Sequence, residues 1–178
     1  MDVSNECFFS NFDDYNKIGF LLWKLDNYWQ REFKKKFAEL KLNFTHSQVL
    51  LLVSIMWGEA HEEVDITQKT LSDKTGIDPM TTSTILRTLQ KKKLIRRKFY
   101  QKDSRMHLIS LTEEGKGLVG KALQIVGDFN HSFFSPLKEQ QKQFQENLIV
   151  LLMKDDAFRE HIMENHKEEL KKYNNITF

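Results

Sequence analysis

Between positions 80 and 105 the 178-residue chain gathers side chains suited to holding a polyanion. Met80, Thr81, Thr82 and Thr84 stand close together, and Arg87 follows three residues after Thr84. Short hydroxyls reach phosphates or base edges, threonine methyls can touch thymine, and a guanidinium suits guanine or phosphate. The same threonines could instead do ordinary capping and surface filling. Further on, Lys98, Lys102 and Arg105 surround Asp103. The bland reading of Arg105 with Asp103 is an exposed ion pair on a surface turn, worth little. Lys98 and Lys102 fit phosphate contacts without sequence information. Lys91, Lys92 and Lys93 could join them, or could simply complement the dipole of a helix C-terminus.

The charge pattern agrees. From Arg87 to Arg105 nine basic residues accompany one acid, so this segment carries +8; taken from a net charge of +2, that leaves −6 on the rest. A basic island on an acidic body points to a polyanion site. Forty per cent hydrophobic and 29 per cent charged residues, with seven Gly and two Pro, describe a globular and mostly helical protein with one substantial core.

Other chemistries find little support. No Ser-His-Asp, Cys-His or paired-carboxylate arrangement is carried by the spacing, and there is no Gly-rich phosphate loop, so an enzyme is not expected. The lone Cys7 excludes an intramolecular disulfide and fits a reducing compartment. The histidines (His46, His61, His107, His131, His161, His166) form no local metal-ligand spacing. No metal and no cofactor is expected. No leader segment is recognisable and no apolar run approaches the ~20 residues of a membrane span, so the expected location is the cytoplasm, with no membrane partner.

The elements that position these residues run from Ile66 to Thr112. Thr67 is placed to cap a short helix over Leu71, and Gly76 to end it. Asp78 then caps a second helix that begins at Pro79, where a missing N–H costs nothing. Helix, short turn with Gly, helix is a helix-turn-helix, with Leu71, Ile77, Ile85, Leu86 and Leu89 facing inward. Leu94–Tyr100 and Met106–Leu111 read as two strands, with Gln101–Arg105 as the polar turn of a hairpin.

Long helices flank this centre. Residues 1–11 lack periodicity and are expected to form a loose arm. From Phe12 to about Leu40, Ile18, Leu22, Leu25, Trp29, Phe33, Phe37 and Leu40 recur at steps of three and four, widened by Tyr15, Leu21, Trp23 and Tyr28. Such a stripe lies deep in the monomer or packs against another subunit. Thr45 or Asn43 can cap the next helix, with Val49, Leu50, Leu52, Val53 and Met56 apolar. Thr112 caps a third long helix, striped by Leu118, Ala122, Ile125, Phe129 and Phe133, in which Gly115, Gly117, Gly120 and Gly127 suggest close helix contact. Ser135-Pro136 starts another, with Phe144, Leu148 and Leu151 inward. Asp155 or Asp156 caps a last one through Phe158, Ile162 and Leu170 to Tyr173.

In order and motif the chain resembles the MarR family of winged helix-turn-helix transcriptional regulators. The likeness rests on Leu42-Asn43-Phe44-Thr45-His46-Ser47-Gln48-Val49-Leu50, on Ile66-Thr67-Gln68-Lys69-Thr70-Leu71 leading to Asp78-Pro79-Met80-Thr81-Thr82-Ser83-Thr84, on Leu86-Arg87-Thr88-Leu89 running through Lys93 into Leu94-Ile95, and on Asp103-Ser104-Arg105 with Ile109-Ser110-Leu111-Thr112-Glu113-Glu114-Gly115. These motifs span about residues 40 to 120. The chain departs from the pattern at Lys93, where the family commonly has Gly, so a non-Gly residue must turn left-handed there or the turn must differ.

The resemblance implies a mainly α fold with a small β-hairpin wing, in which N- and C-terminal dimerisation helices flank the winged helix-turn-helix. Residues 1–178 would form one MarR-like unit, with a DNA-binding lobe at 44–112 and a helical dimerisation lobe at 12–43 and 113–178. It further implies a homodimer on an inverted-repeat site in double-stranded DNA, acting as a repressor more than an activator, and a possible small-molecule effector near Trp23, Tyr28 and Trp29. By the same resemblance Arg105 enters the minor groove while Asp103 holds it. Two rivals remain: a winged helix used as a protein-interaction module, and a thiol redox sensor acting through Cys7.

Overall fold

The computed structural model describes residues 13–61, 65–100, 103–156 and 158–159. The expected arm at 1–11, with Cys7, lies outside them. The chain divides into two compact units, Met1–His46 and Ser47–Phe178.

In the first unit, helix α1 (Asp14–Glu39) begins where Asp13 accepts the Asn16 amide at 2.7 Å. It ends where Lys41 turns left-handed (φ 58°), which lets the Leu42 amide donate back to the Phe37 carbonyl at 2.9 Å. The expected stripe divides in two. Phe33 and Phe37 are fully buried and stacked at 4.6 Å, with Trp29 5.4 Å from Phe33. Ile18, Leu21, Leu22 and Tyr28 are exposed, and so is Trp23, at 60%. Among the described residues, burial therefore accounts for the C-terminal half only. His46, half-buried, stands edge-on to Trp29 at 4.4 Å and to Phe33 at 5.3 Å. Burial pushes its pKa below the ordinary 6.5, and the charge of Asp26 partly opposes this.

In the second unit, helix α2 (His46–Ala60) follows Thr45 directly and buries Val49, Leu51, Leu52, Ile55 and Gly58. Of the expected apolar face, Leu50, Val53 and Met56 are only half-buried. The helix is apolar around most of its circumference, so periodicity could not single out the inward side. Helices α3 (Gln68–Thr75) and α4 (Pro79–Lys91) form the helix-turn-helix. Leu71, Ile85, Leu86 and Leu89 are buried as expected, whereas Ile77 is half-buried.

Strands β1 (Ile95–Tyr100) and β2 (Asp103–Leu111) pair antiparallel, with Ile95 opposite Leu111 and Phe99 opposite His107. A bulge follows, so that Tyr100 pairs with Asp103. The expected turn is thus too long: Asp103, Ser104 and Arg105 belong to β2, and only Gln101 and Lys102, both outside the described residues, connect the strands. The Ile109 amide donates to the Ile66 carbonyl at 2.8 Å and ties β2 to the approach to α3.

Helix α5 (Glu113–Phe134) is capped by Thr112, with Glu113 and Glu114 at the positive end of its dipole. Ala122 and Phe129 are buried as the stripe requires, and Val119 joins them. Close contact explains only one of its glycines. A Cβ on Gly115 would stand 2.1 Å from the Leu94 carbonyl oxygen, whereas among the described residues Gly117, Gly120 and Gly127 meet nothing within 4 Å. Ser135 opens a 3₁₀ segment (Ser135–Gln140), not an α-helix, and α6 (Gln141–Leu152) follows. Phe144 and Leu148 are half-buried, but Leu151, expected inward, is exposed. Asp155 accepts the Phe158 amide at 3.3 Å, as a cap would; Ile162, Leu170 and Tyr173 lie outside the described residues.

At the exit of α4, Lys93 has φ 59° while its amide donates to the Gln90 carbonyl at 2.9 Å and the Leu94 amide to Leu89 at 3.0 Å. This is the left-handed seat that glycine fills without a Cβ penalty. Lys93→Gly should therefore stabilise the fold by roughly 0.5–1 kcal/mol, the relief of a ~1–2 kcal/mol conformational cost less the extra unfolded-state freedom of glycine, read as a higher urea midpoint. A second outcome concerns His46. Its folded-state pKa is lowered, so the unfolded chain takes up the proton first as pH falls through 6.5. Stability should be flat above that pH and decline below it. His46→Gln should remove that part of the slope between urea midpoints at pH 7.5 and 5.5.

Candidate nucleic-acid interface

The approach to α4 is held by local hydrogen bonds. Thr67 accepts the Thr70 amide at 3.2 Å while Thr70 accepts the Thr67 amide at 2.8 Å, a reciprocal cap on α3. Gly76, at φ 67°, ends α3. The carbonyl of Ile77 then accepts two buried hydroxyls, Ser72 Oγ at 2.6 Å and Thr82 Oγ1 at 3.1 Å. Asp78 accepts the Thr81 amide at 2.9 Å, and hydrogen bonding from Thr81 holds its carboxyl below the usual carboxylate range. Gln68 Nε2 reaches the Pro79 carbonyl at 3.2 Å. The first turn of α4 is thus anchored to α3 by side chains from both helices.

On this helix Met80, Thr81, Thr84 and Arg87 are exposed, Met80 at 83%. Met80, Thr84 and Arg87 follow steps of four and three, which places them along one side. The opposite side, Ile85, Leu86 and Leu89, is buried. Thr82 does not belong with the outward group. Its side chain is fully buried and its hydroxyl is committed to Ile77, so it serves the turn. A polar residue among polar neighbours reads as exposed, but its position one step round the helix turns it inward. Lys98 is exposed on β1. Lys102 lies outside the described residues, as do the side chains of Asp103 and Arg105. Among the described residues no three His, Cys, Asp or Glu groups gather as metal ligands. His61 instead stacks on Trp57 at 4.0 Å, with Lys74 Nζ 4.7 Å from the same ring.

Residues 32–121 match the family described as transcriptional regulator SarA/Rot. The chain belongs to that family. It is 42% identical over 117 residues to the HTH-type transcriptional regulator YdcH of Bacillus subtilis, covering 66% of this chain and 78% of YdcH. Among solved structures, Staphylococcus aureus MepR in complex with DNA is 26% identical with a TM-score of 0.65, over 75% of this chain and 95% of MepR. A MarR transcriptional regulator from Methanosarcina mazei Go1 is 25% identical with a TM-score of 0.61, over 78% and 94%. The resemblance to MarR regulators and the winged-helix fold that it implied are borne out, and the protein is a transcriptional regulator, not an enzyme. Among the described residues no helix is long and apolar enough to cross a membrane.

The exposed face of this SarA/Rot regulator's helix-turn-helix and hairpin also contains residues that their types and spacing did not single out. Arg96 is exposed like Lys98, two positions on; alternation along a strand was the available signal. Phe99 is 71% exposed and pairs across the hairpin with His107 at 4.7 Å. Unlike Arg96 and Lys98, Arg97 faces inward, its Nε buried without a hydrogen-bond partner among the described residues, beside a hollow of about 280 Å³ lined by Gln68, Ser72, Pro79 and His107. The two adjacent threonines provide a direct check on which surface faces out. Thr82→Val, which removes a buried hydroxyl bonded to Ile77, should destabilise the fold by about 1 kcal/mol, whereas Thr81→Val should change the thermal midpoint little.

Proposed function

We propose that this regulator binds an inverted repeat in double-stranded DNA as a homodimer, with α4 in the major groove and the β1–β2 hairpin at the minor groove. The observation that carries it is the exposed row Met80, Thr81, Thr84 and Arg87 on an anchored helix, beside a segment of charge +8. Thr81 and Arg87 would meet base edges or phosphates, Thr84 a base edge, Met80 a thymine methyl, Lys98 and Lys102 phosphates, and Arg105, supported by Asp103, the minor groove. Thr82 has no such role. The solved complex of MepR with DNA supports the choice of partner.

Residues 44–112 act as the DNA-binding lobe, and 12–43 with 113–178 as the dimerisation lobe. The exposed face of α1, with Ile18, Leu21, Leu22 and Trp23, supports pairing with a second copy, because so large an apolar patch is costly in water. A two-fold dimer places its reading helices about one DNA turn apart. Occupancy of a promoter by such a dimer favours repression as the outcome, in the cytoplasm. A small ligand would regulate it by binding one spacing of the reading helices better than another.

The test is fluorescence anisotropy with a duplex selected from genomic DNA and a scrambled duplex, each at two salt concentrations. Arg87→Ala should cost roughly 1–3 kcal/mol on the selected duplex if it reads a base, and much less on the scrambled one. For every phosphate that a variant no longer neutralises, the log–log salt slope should flatten by ~0.9. Arg105→Ala should lose most affinity where flanking A·T pairs narrow the minor groove. Salt-independent binding, or parental affinity in both variants, would overturn the assignment.

A further inference from the structure

We propose that Thr112 is a positioning residue that locks the exit of α4 to the start of α5, so that the reading helix follows α5 as one body. The inference rests on α4 being the reading helix. One oxygen serves both elements. Thr112 Oγ1 donates to the Lys93 carbonyl at 2.8 Å and accepts the Gly115 amide at 3.0 Å. The Thr112 amide donates to the Leu94 carbonyl at 3.0 Å. Lys93 and Leu94 directly follow Lys92, the C-cap of α4, and the Leu94 amide is itself bonded back to the Leu89 carbonyl of that helix at 3.0 Å. The N-cap of α5 is therefore also the clamp on the C-terminus of α4.

The neighbours remove slack from this joint. A Cβ on Gly115 would fall 2.1 Å from the Leu94 oxygen and 3.1 Å from the Leu94 carbonyl carbon, both backbone atoms with no rotamer by which to retreat. Just before Thr112, the Leu111 amide donates to Glu59 Oε1 of α2 at 2.7 Å, and Leu94, Ile95 and Leu111 are buried. A change in the direction of α5 cannot be absorbed at residue 112 without uncapping α5 and releasing Lys93 in the same motion. It is passed to α4 instead. The device needs a hydroxyl, which Ser retains and the similarly shaped Val lacks.

Three variants test this, Thr112→Val, Thr112→Ser and Gly115→Ala, on a duplex selected by the parent protein and on the same duplex with one half-site scrambled. Thr112→Val and Gly115→Ala should bind the single half-site within about twofold of the parent, yet lose about tenfold or more on the intact duplex, where both heads must dock at once. Thr112→Ser should bind both duplexes as the parent does. Equal losses on both duplexes, or none for Thr112→Val, would overturn the proposal. Amide hydrogen exchange without DNA provides a separate readout. Thr112→Val should speed exchange at Gly115 and Leu94 together, and Thr112→Ser at neither; faster exchange at Gly115 with Leu94 unchanged would mean that the helices are not locked. If the parent selects no DNA, the reading of α4 fails, and the exchange measurement still decides the joint.

Discussion

The orientation of α4 depends on one acceptor, the carbonyl of Ile77. Ser72 from α3 and Thr82 from α4 both donate to it, so a single oxygen fixes the angle between the two helices. A half-buried carbonyl in a three-residue turn has no regular ladder to join, and leaving it unpaired would cost about 1 kcal/mol. Gly76 supplies the positive φ that brings Ile77 into reach, and Asp78 then restarts the helix by capping the Thr81 amide. The exposed row on α4 is a consequence of this arrangement, since the buried Thr82 sets the rotation about the helix axis.

How far such features could be read in advance depended on how local they are. The caps at Thr67, Asp78 and Thr112 and the stop at Gly76 depend on neighbours within three or four residues, and all are present. The left-handed seat at Lys93 was visible as a departure from the family pattern, and φ 59° places the residue there. Inward faces were harder. In α2 the apolar residues nearly encircle the helix, so the side that is buried depends on partners distant in sequence. The hairpin register was displaced by a bulge between Phe99 and Tyr100, which alternation alone does not reveal. Of the residues expected at a DNA interface, Met80, Thr81, Thr84, Arg87 and Lys98 are on the surface, and Thr82 is the one whose burial depended on a carbonyl five residues away.

The two ends of α1 illustrate a different limit. The same spacing runs through Ile18 and Phe37, but one is exposed and the other completely buried. Periodicity identifies a face that needs covering, not what covers it. On α5 the glycines divide similarly. Gly115 is demanded by the Leu94 backbone, whereas Gly117, Gly120 and Gly127 meet no described residue.

Thr84 carries a further chemical consequence. Its hydroxyl proton is used on the Met80 carbonyl at 3.1 Å, and its own carbonyl accepts the Thr88 hydroxyl at 3.0 Å. While that internal bond lasts, the side chain presents lone pairs outward instead of a donor. Its natural counterparts are then groups that bring a hydrogen, such as the exocyclic amines of adenine and cytosine, and not the acceptor-only oxygens of phosphate. The polarity of that position is set inside the helix before any nucleic acid arrives.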